Sequence, residues 1–371
     1  MRPASVLTAV AALLAAIPVA SAQVLSPAYR TLVVRYSSGD RLGAADDLCG
    51  WPDSRIKKEV PILNVDWQKT TFGGDAMRAS VWGELSMGAA LMLHTDCVQR
   101  APSDRKLPGV HVTTAWSIAR AMAKEPALRS FARRWYEAFA ELAQAEYRWG
   151  AALDWAERGL DDFPGSGALW LVKGSIEEMQ AVQAAQATPS LPPGSPVDPN
   201  TGRMVGDLLQ RRDVEKYSQA ARKSLRASIH ADPSLAEAHL RLGRVAWRLG
   251  EAAEARAELE AALDRSREPR TSYLAQLFLG RLEEDAGRHR DAATRYEAAV
   301  AIGPEHQSAH LALSHACLRL GDPAAARREV EQALAAGGRR KERDPLWLYP
   351  WGPAVGVDER LEAMKQEVST P

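Results

Sequence analysis

The chain has 371 residues, and 46% of them are hydrophobic, so it can bury ample apolar surface as one elongated array or as two domains. Its 47 Lys and Arg residues balance its 47 Asp and Glu residues. This balance excludes a net field that attracts nucleic acid or an acidic membrane surface, so any charge-based recognition has to be local.

The first 22 residues have the layout of a secretory signal peptide. Arg2 provides the charged start, an apolar stretch runs from Val6 to Val19, and small residues at 20–22 form a cleavage point. An uncleaved membrane anchor is the alternative, but the stretch is shorter than the roughly 20 residues that cross a bilayer. The sequence therefore predicts a mature protein that is periplasmic or secreted and does not span a membrane.

Residues 23–130 predict a helical N-terminal region with degenerate, repeat-like helix pairs. Ser26 to Trp51 has the spacing of one pair, and residues 76–100 and 113–147 have the apolar spacing of further helices. No run with a period of two residues is long enough to predict a sheet. This region also carries the alternative to a binding protein, which is an enzyme of unknown class with its site in residues 51–130.

The segment His94-Thr95-Asp96-Cys97 places chemically capable side chains at the end of an apolar helix. It suits a nucleophile site only if a base is oriented correctly, and no spacing here enforces that. A helix-end cap with a disulfide is the favoured interpretation. The sequence lacks the HExxH, P-loop, nucleophile-elbow, Rossmann and CxxC motifs, so we expect no enzyme, no metal and no cofactor.

The chain contains three cysteines, which in an oxidising compartment allow one disulfide and leave one thiol over. Cys49 with Cys97 is the favoured pair, since both lie in the N-terminal region whereas Cys317 falls in a repeat core. The sequence alone does not establish this pairing.

Three consecutive segments match one another position for position, and they begin at Ala236, Tyr273 and Gln307. Small residues at the eighth position let two helices approach closely. They are Gly243, Gly280 and Ser314. At the fifteenth position each segment has a glycine, for which the left-handed backbone costs nothing. These glycines are Gly250, Gly287 and Gly321.

The copies resemble the tetratricopeptide repeat, a helix-turn-helix unit. Upstream, a degenerate unit begins near Arg133 with Tyr136 at its fourth position, and a split unit follows with an insertion at about residues 181–212. The core of the insertion, residues 188–202, is rich in Pro and Gly and predicts an exposed loop that joins extensions of both helices. The resemblance implies an all-α fold, a right-handed helical-repeat solenoid of antiparallel helix pairs over residues 131–337.

In this family the first helix of each unit lines the concave surface, so the resemblance also implies which residues face a partner. These are Arg241, Arg244, Trp247, Arg248, Phe278, Arg281, His315 and Arg319. The arginines form a basic ladder that suits an acidic or C-terminal segment of another protein, because a guanidinium binds a carboxylate as a bidentate fork. Ordinary surface ion pairs of little energetic value are the alternative. The Lys and Asn set of the family's chaperone-binding carboxylate clamp is missing, so that ligand is not implied.

His306 and His310 have the four-residue spacing of metal ligands on a helix. The fourth repeat position points into the core, however, and His239 occupies it without a companion. A packed histidine is therefore favoured over a metal site.

Residues 338–371 form an aromatic tail. Trp347, Tyr349 and Trp351, interrupted by a proline, cannot form a helix and would not remain in water without cause. The tail either caps the last repeat, with a short helix at residues 358–367, or forms an interface, and we expect a cap. The sequence as a whole predicts an interaction scaffold or adaptor in the cell envelope that holds a peptide or partner domain. A self-assembling structural protein is a third hypothesis, since the oligomeric state is open.

Overall fold

A computed structural model describes residues 25–60, 82, 85–100, 109–186, 199–337, 344–349 and 356–369. The predicted signal peptide lies outside these ranges, as does most of the predicted insertion loop. Throughout the described ranges the regular structure is helical, in agreement with the all-α expectation. No helix found there is both long enough and apolar enough to cross a membrane.

The chain forms two compact units, one of residues 1–135 with 358–371 and one of residues 136–357. The predicted N-terminal region, residues 23–130, and the predicted C-terminal segment, residues 338–371, therefore do not coincide with the two units. The first unit contains α1 (Pro27–Ser37), α2 (Arg41–Cys49), α3 (Asp53–Glu59), α4 (Met87–Gln99), α5 (Gly109–Ala123), the start of α6 (Arg129–Ala145) and, at the end of the chain, α17 (Val357–Glu367).

The first unit is built around α4, an apolar helix that is buried along almost its whole length. It packs against α1, α2 and α5. Side chains at the helix starts satisfy free backbone N–H groups, as Ser26 accepts from Tyr29 N and Ser86 accepts from Ala89 N. Residues 113–147, for which the sequence predicts helical structure, belong to two helices, since Pro126, which has no N–H to donate, lies between α5 and α6.

A disulfide joins the end of α2 to α4. It links Cys49 with Cys97, whose Cα atoms lie 5.2 Å apart. This is the pair that the sequence favoured. The thiol of Cys317 is free and partly buried, and burial raises its pKa.

The C-terminal helix α17 belongs to the first unit, so the expectation that it caps the last repeat is wrong. Its Lys365 lies 2.5 Å from the carboxylate of Asp96 on α4, and Glu362 accepts a hydrogen bond from Arg41. Val368 just after the helix packs against Gly88. Ion pairs and apolar contact with α4 therefore hold the helix in the N-terminal unit.

The second unit consists of consecutive helix pairs. It contains the end of α6, then α7 (Trp149–Asp162), α8 (Gly167–Gln186), α9 (Pro199–Ala231), α10 (Ala236–Arg248), α11 (Ala252–Arg265), α12 (Pro269–Asp285), α13 (His289–Ile302), α14 (Gln307–Arg319), α15 (Pro323–Gly337) and the short α16 (Pro345–Leu348). Each helix packs against the next from α7 to α15, and the first helices α8, α10, α12 and α14 also contact one another in a row. Helix α9 starts at Pro199, so the last residues of the predicted loop core are helical.

Small residues account for the close approach of the two helices in a pair. A Cβ atom built on Gly280 would lie 2.3 Å from the Tyr296 ring, and one on Gly243 would lie 2.6 Å from Leu259 Cγ. The turns Gly250, Gly287 and Gly321 have φ values of 80°, 73° and 79°, as their position predicts.

The α6–α7 pair has the same turn without the glycine. Tyr147 occupies the fifteenth position with φ of 62°. The N–H groups of Tyr147 and Arg148 donate to the carbonyls of Gln144 and Ala143, the arrangement that Gly250 and Glu251 make with Trp247 and Ala246. The backbone pattern thus identifies a repeat turn where the sequence signal is lost.

Histidines at the fourth position bind neighbouring segments together. His310 Nδ1 lies 2.7 Å from Glu329 Oε2, and its Nε2 lies 3.1 Å from the Pro304 carbonyl oxygen. His239 makes the same contacts with Glu258 and the Pro233 carbonyl. No group of three or more metal-ligating side chains occurs among the residues described. These histidines are packed in the repeats, as their position predicts.

Candidate functional site

The row of first helices α8, α10, α12 and α14 forms the surface that we call the inner face. Near its α8 end lies a buried network of charges. Glu178 on α8 receives hydrogen bonds from Arg241 at 2.9 Å and from Arg244 at 3.1 Å, both on α10. Only 2% of the Glu178 side chain and 1% of the Arg241 side chain are exposed. Glu237 accepts a further bond from Arg241 at 2.8 Å and so balances the second positive charge.

Tyr349, which follows α16, completes this network. Its hydroxyl donates to Glu178 Oε1 at 2.9 Å, and its carbonyl oxygen accepts from Arg241 Nη2 at 3.0 Å. The guanidinium carbon of Arg244 lies 4.4 Å from the centre of the Tyr349 ring, and the ring of Phe278 meets it edge-on at 5.2 Å. Burial, and then the negative charge of Glu178, raises the pKa of the Tyr349 hydroxyl, so it remains a donor.

Arg248 is the most isolated charge near this network. It is half-buried and makes no hydrogen bond or ion pair with any described residue. Burial and then the charge of Arg244 lower its pKa. The indole of Trp247, one residue earlier, donates to Asp285 on α12 at 2.8 Å.

Towards α14 the inner face is open. The side chain of Arg281 is 52% exposed and pairs with Glu284 and Asp285 of its own helix, each at 3.3 Å. His315 on α14 is 60% exposed and lies 2.8 Å from Glu284. Arg281 and His315 are both more than half exposed, so solvent screens these contacts and they contribute little to stability.

Apolar side chains lie beside these exposed charges on α14. Leu311 is 51% exposed and Leu318 is 55% exposed. Arg319 next to Leu318 is exposed and has no polar partner within the ranges that the structure covers. Leucines and an unpaired guanidinium together form a surface that can exclude water around a carboxylate.

The structure thus divides the eight residues that were predicted to face a partner. Arg281, His315 and Arg319 are accessible, whereas Trp247 and Arg248 are partly buried. The expectation for Arg241, Arg244 and Phe278 needs correction, because they contact Tyr349 of the same chain instead of lining an open surface. Sequence reasoning missed Glu178 and Tyr349 as members of this group. Gly174 stands at the eighth position of the split unit, so Glu178 stands at the twelfth, a position that faces the ligand in the tetratricopeptide resemblance.

The aromatic tail does not cap the last repeat. Asp344 accepts from the backbone N–H of Ser308 at 2.8 Å, and α16 packs against α12. Leu346 contacts the core of the repeats, while Trp347 is exposed. Apolar and charged partners therefore hold the segment on the inner face. Leu334 of α15, the last helix of the repeats, remains exposed.

The candidate enzyme region, residues 51–130, lies partly outside the described residues, but its segment His94–Cys97 is described and makes structural contacts. His94 is fully buried, with Nδ1 at 2.9 Å from His111 Nδ1 and Nε2 at 3.1 Å from the Tyr29 hydroxyl. Thr95 accepts from the Trp135 indole, and Asp96 accepts from Tyr36 and pairs with Lys365. Since Cys97 forms the disulfide, the four side chains of this segment are held inside the fold.

The buried pair His94 and His111 predicts an acid-sensitive N-terminal unit. Burial lowers the pKa of His94, and so does the neighbouring His111; burial lowers the pKa of His111 to about 4, against the opposing effect of Asp53. The unfolded chain, with histidine pKa near 6.5, therefore binds more protons than the folded chain below that pH. Stability is fully present above about pH 6.5 and is lost as the pH falls, by roughly 3 kcal/mol for His111 alone at pH 4.

Urea unfolding midpoints between pH 7.5 and pH 5 measure this effect. His111→Gln should flatten the pH dependence, whereas His230→Gln, at an exposed position, should leave it as in the wild type. An identical slope for His111→Gln and the wild type would contradict the assignment.

Comparison with known proteins supports the repeat assignment directly. Residues 212–268 and 278–343 match the tetratricopeptide repeat family. The match covers less than half of the chain and includes α10, α11, the second half of α12, and α13 to α15. Such repeats are protein-interaction modules whose stacked units create extended binding surfaces. No curated protein matches the chain in sequence.

Solved structures of tetratricopeptide proteins are similar in part. PilF of Pseudomonas aeruginosa is 13% identical, with a TM-score of 0.44, covering 65% of this chain and 88% of its own. MamA of Desulfovibrio magneticus RS-1 is 15% identical, with a TM-score of 0.39 and coverages of 57% and 97%. YrrB, described as having an unusual peptide-binding site, is 13% identical, with a TM-score of 0.37 and coverages of 55% and 86%.

Proposed function

We propose that the chain is an interaction scaffold that binds an apolar, acidic segment of a partner protein on the open part of its inner face. The observation that carries the proposal is the grouping on α14 of two exposed leucines, Leu311 and Leu318, with the unpaired Arg319. Apolar contact supplies the affinity of such a site, and a guanidinium free of intramolecular partners is available for a carboxylate. Arg281 and His315 supply further positive or hydrogen-bonding groups beside it.

The test is the capture of a partner by the full mature chain from an extract of the native cell envelope, with identification by mass spectrometry. The variant Leu318→Asp with Arg319→Glu should reduce capture at least tenfold, because it places charge at the apolar contact and reverses the charge of the guanidinium. Arg290→Glu changes an exposed arginine on α13, a second helix of a repeat, and should capture like the wild type. Equal capture by the inner-face variant and the wild type would overturn the proposal.

The proposed compartment is the periplasm or the medium. Two features support export: the secretory pattern of residues 1–22, and a cysteine pair whose geometry suits a disulfide. Fractionation of the native cells, with an antibody to the chain, should find it outside the cytoplasm. A cytoplasmic chain of undiminished mass would contradict export.

A further inference from the structure

The segment Asp344–Tyr349 lies outside the repeats in sequence but occupies their inner face in the structure. Tyr349 is buried, and both its side chain and its backbone are bound by residues of α8, α10 and α12. At the other end of the segment, Asp344 accepts backbone hydrogen bonds from Ser308 and from Leu346. A short peptide of this chain is therefore held at two anchor points, one acidic and one aromatic.

The residues that hold Tyr349 are those that the repeat geometry offers to a ligand. Glu178 stands at the twelfth position of its repeat, Arg241 at the sixth and Arg244 at the ninth, and Phe278 stands at the sixth position of the next repeat. In the tetratricopeptide resemblance all of these positions face the concave surface. Each contacts Tyr349 directly.

The chemistry of the contact is specific for tyrosine. The phenol hydroxyl has a buried carboxylate as acceptor, and two guanidinium groups lie against the ring at 4.8 Å and 4.4 Å from its centre. A residue without the hydroxyl would leave Glu178 short of a donor, and an aliphatic residue would lose the ring contacts as well.

We propose that Asp344–Tyr349 is a built-in ligand of the inner face, and that a partner segment with an acidic residue followed five positions later by tyrosine competes with it for the same site. This proposal rests on the proposed function. It adds the chemistry of a partner that binds near the α8 end of the inner face, where Tyr349 lies. Because the segment belongs to the same chain, its effective concentration is high, and a partner peptide has to overcome it. While the segment occupies this site, a partner peptide binds there only if it displaces the segment.

The experiment uses a fluorescent peptide with the sequence of residues 343–350 and the full mature chain. Tyr349→Ala removes the aromatic anchor, so we expect the peptide to bind this variant at least tenfold more tightly than the wild type. Trp347→Ala is the matched control, because Trp347 belongs to the same segment but is exposed, and its binding should equal that of the wild type. A peptide in which the tyrosine is replaced by alanine should not bind.

The milder Tyr349→Phe variant keeps the ring and loses only the hydroxyl contact, and it serves if Tyr349→Ala fails to fold by circular dichroism. It should bind the peptide several-fold better than Trp347→Ala. Equal binding by a folded Tyr349 variant and Trp347→Ala, or no binding up to about 1 mM, would overturn the proposal. The variant Leu318→Asp with Arg319→Glu leaves this site intact, so a failure of partner capture and a failure of peptide binding are told apart.

Discussion

Replacement of Glu178 by glutamine should destabilise the repeat unit by about 3–5 kcal/mol, which is the usual effect of removing one partner of a buried ion pair. The change keeps the size and shape of the side chain but removes its charge. Two guanidinium groups would then face each other with only Glu237 as a counter-charge, and the Tyr349 hydroxyl would lose a charged acceptor. Urea unfolding monitored by circular dichroism measures the loss.

Glu260→Gln provides the matched control. Glu260 is half-exposed and lies 3.4 Å from Arg295, so the same chemical change removes only a surface ion pair and should cost less than about 1 kcal/mol. Equal losses for Glu178→Gln and Glu260→Gln would show that the buried network does not stabilise the unit. The double variant Glu178→Met with Arg241→Met should be less destabilised than the sum of its single variants, since it leaves neither charge without its partner.

The repeat array follows from the sequence because its signals are local. Glycines at fixed offsets mark each helix pair, and the structure gives the reason at each one, a left-handed turn at Gly287 and a ring against the backbone at Gly280. Such steric requirements act within one unit and so appear as a short, repeated spacing. This is why the all-α repeat fold could be predicted with its helix order.

The candidate site could be predicted only in part, because its decisive contacts join distant residues. The Tyr349 hydroxyl and Glu178 are separated by 171 positions, and no spacing rule connects a proline-rich tail with the inner surface of an earlier repeat. A charged residue at a ligand-facing position looks the same in the sequence whether it is exposed like Arg281 or buried like Arg241. Burial of these arginines is set by what covers them, and the cover comes from outside their own repeats.

Simultaneous replacement of Cys49 and Cys97 by alanine should destabilise the N-terminal unit by about 4 kcal/mol. The bond closes a loop between residues 48 positions apart, so it removes much of the conformational entropy of the unfolded chain, and the chain-entropy relation gives this magnitude. Reduction of the wild type with dithiothreitol should produce a similar loss. Peptide mapping under non-reducing conditions checks the pairing itself.

Cys317→Ala separates the effect of the disulfide from that of losing a sulfur atom. Cys317 is the free, partly buried cysteine of α14 in the repeat unit. Its replacement should therefore leave the unfolding of the N-terminal unit unchanged. The disulfide also fixes α2 against α4, the helix that carries Asp96 and its contacts with Tyr36 and Lys365. Loss of the bond should therefore loosen α17 as well, with faster amide exchange in residues 357–367. If reduction leaves both the urea midpoint and this exchange unchanged, the disulfide is not a stabilising element of the unit.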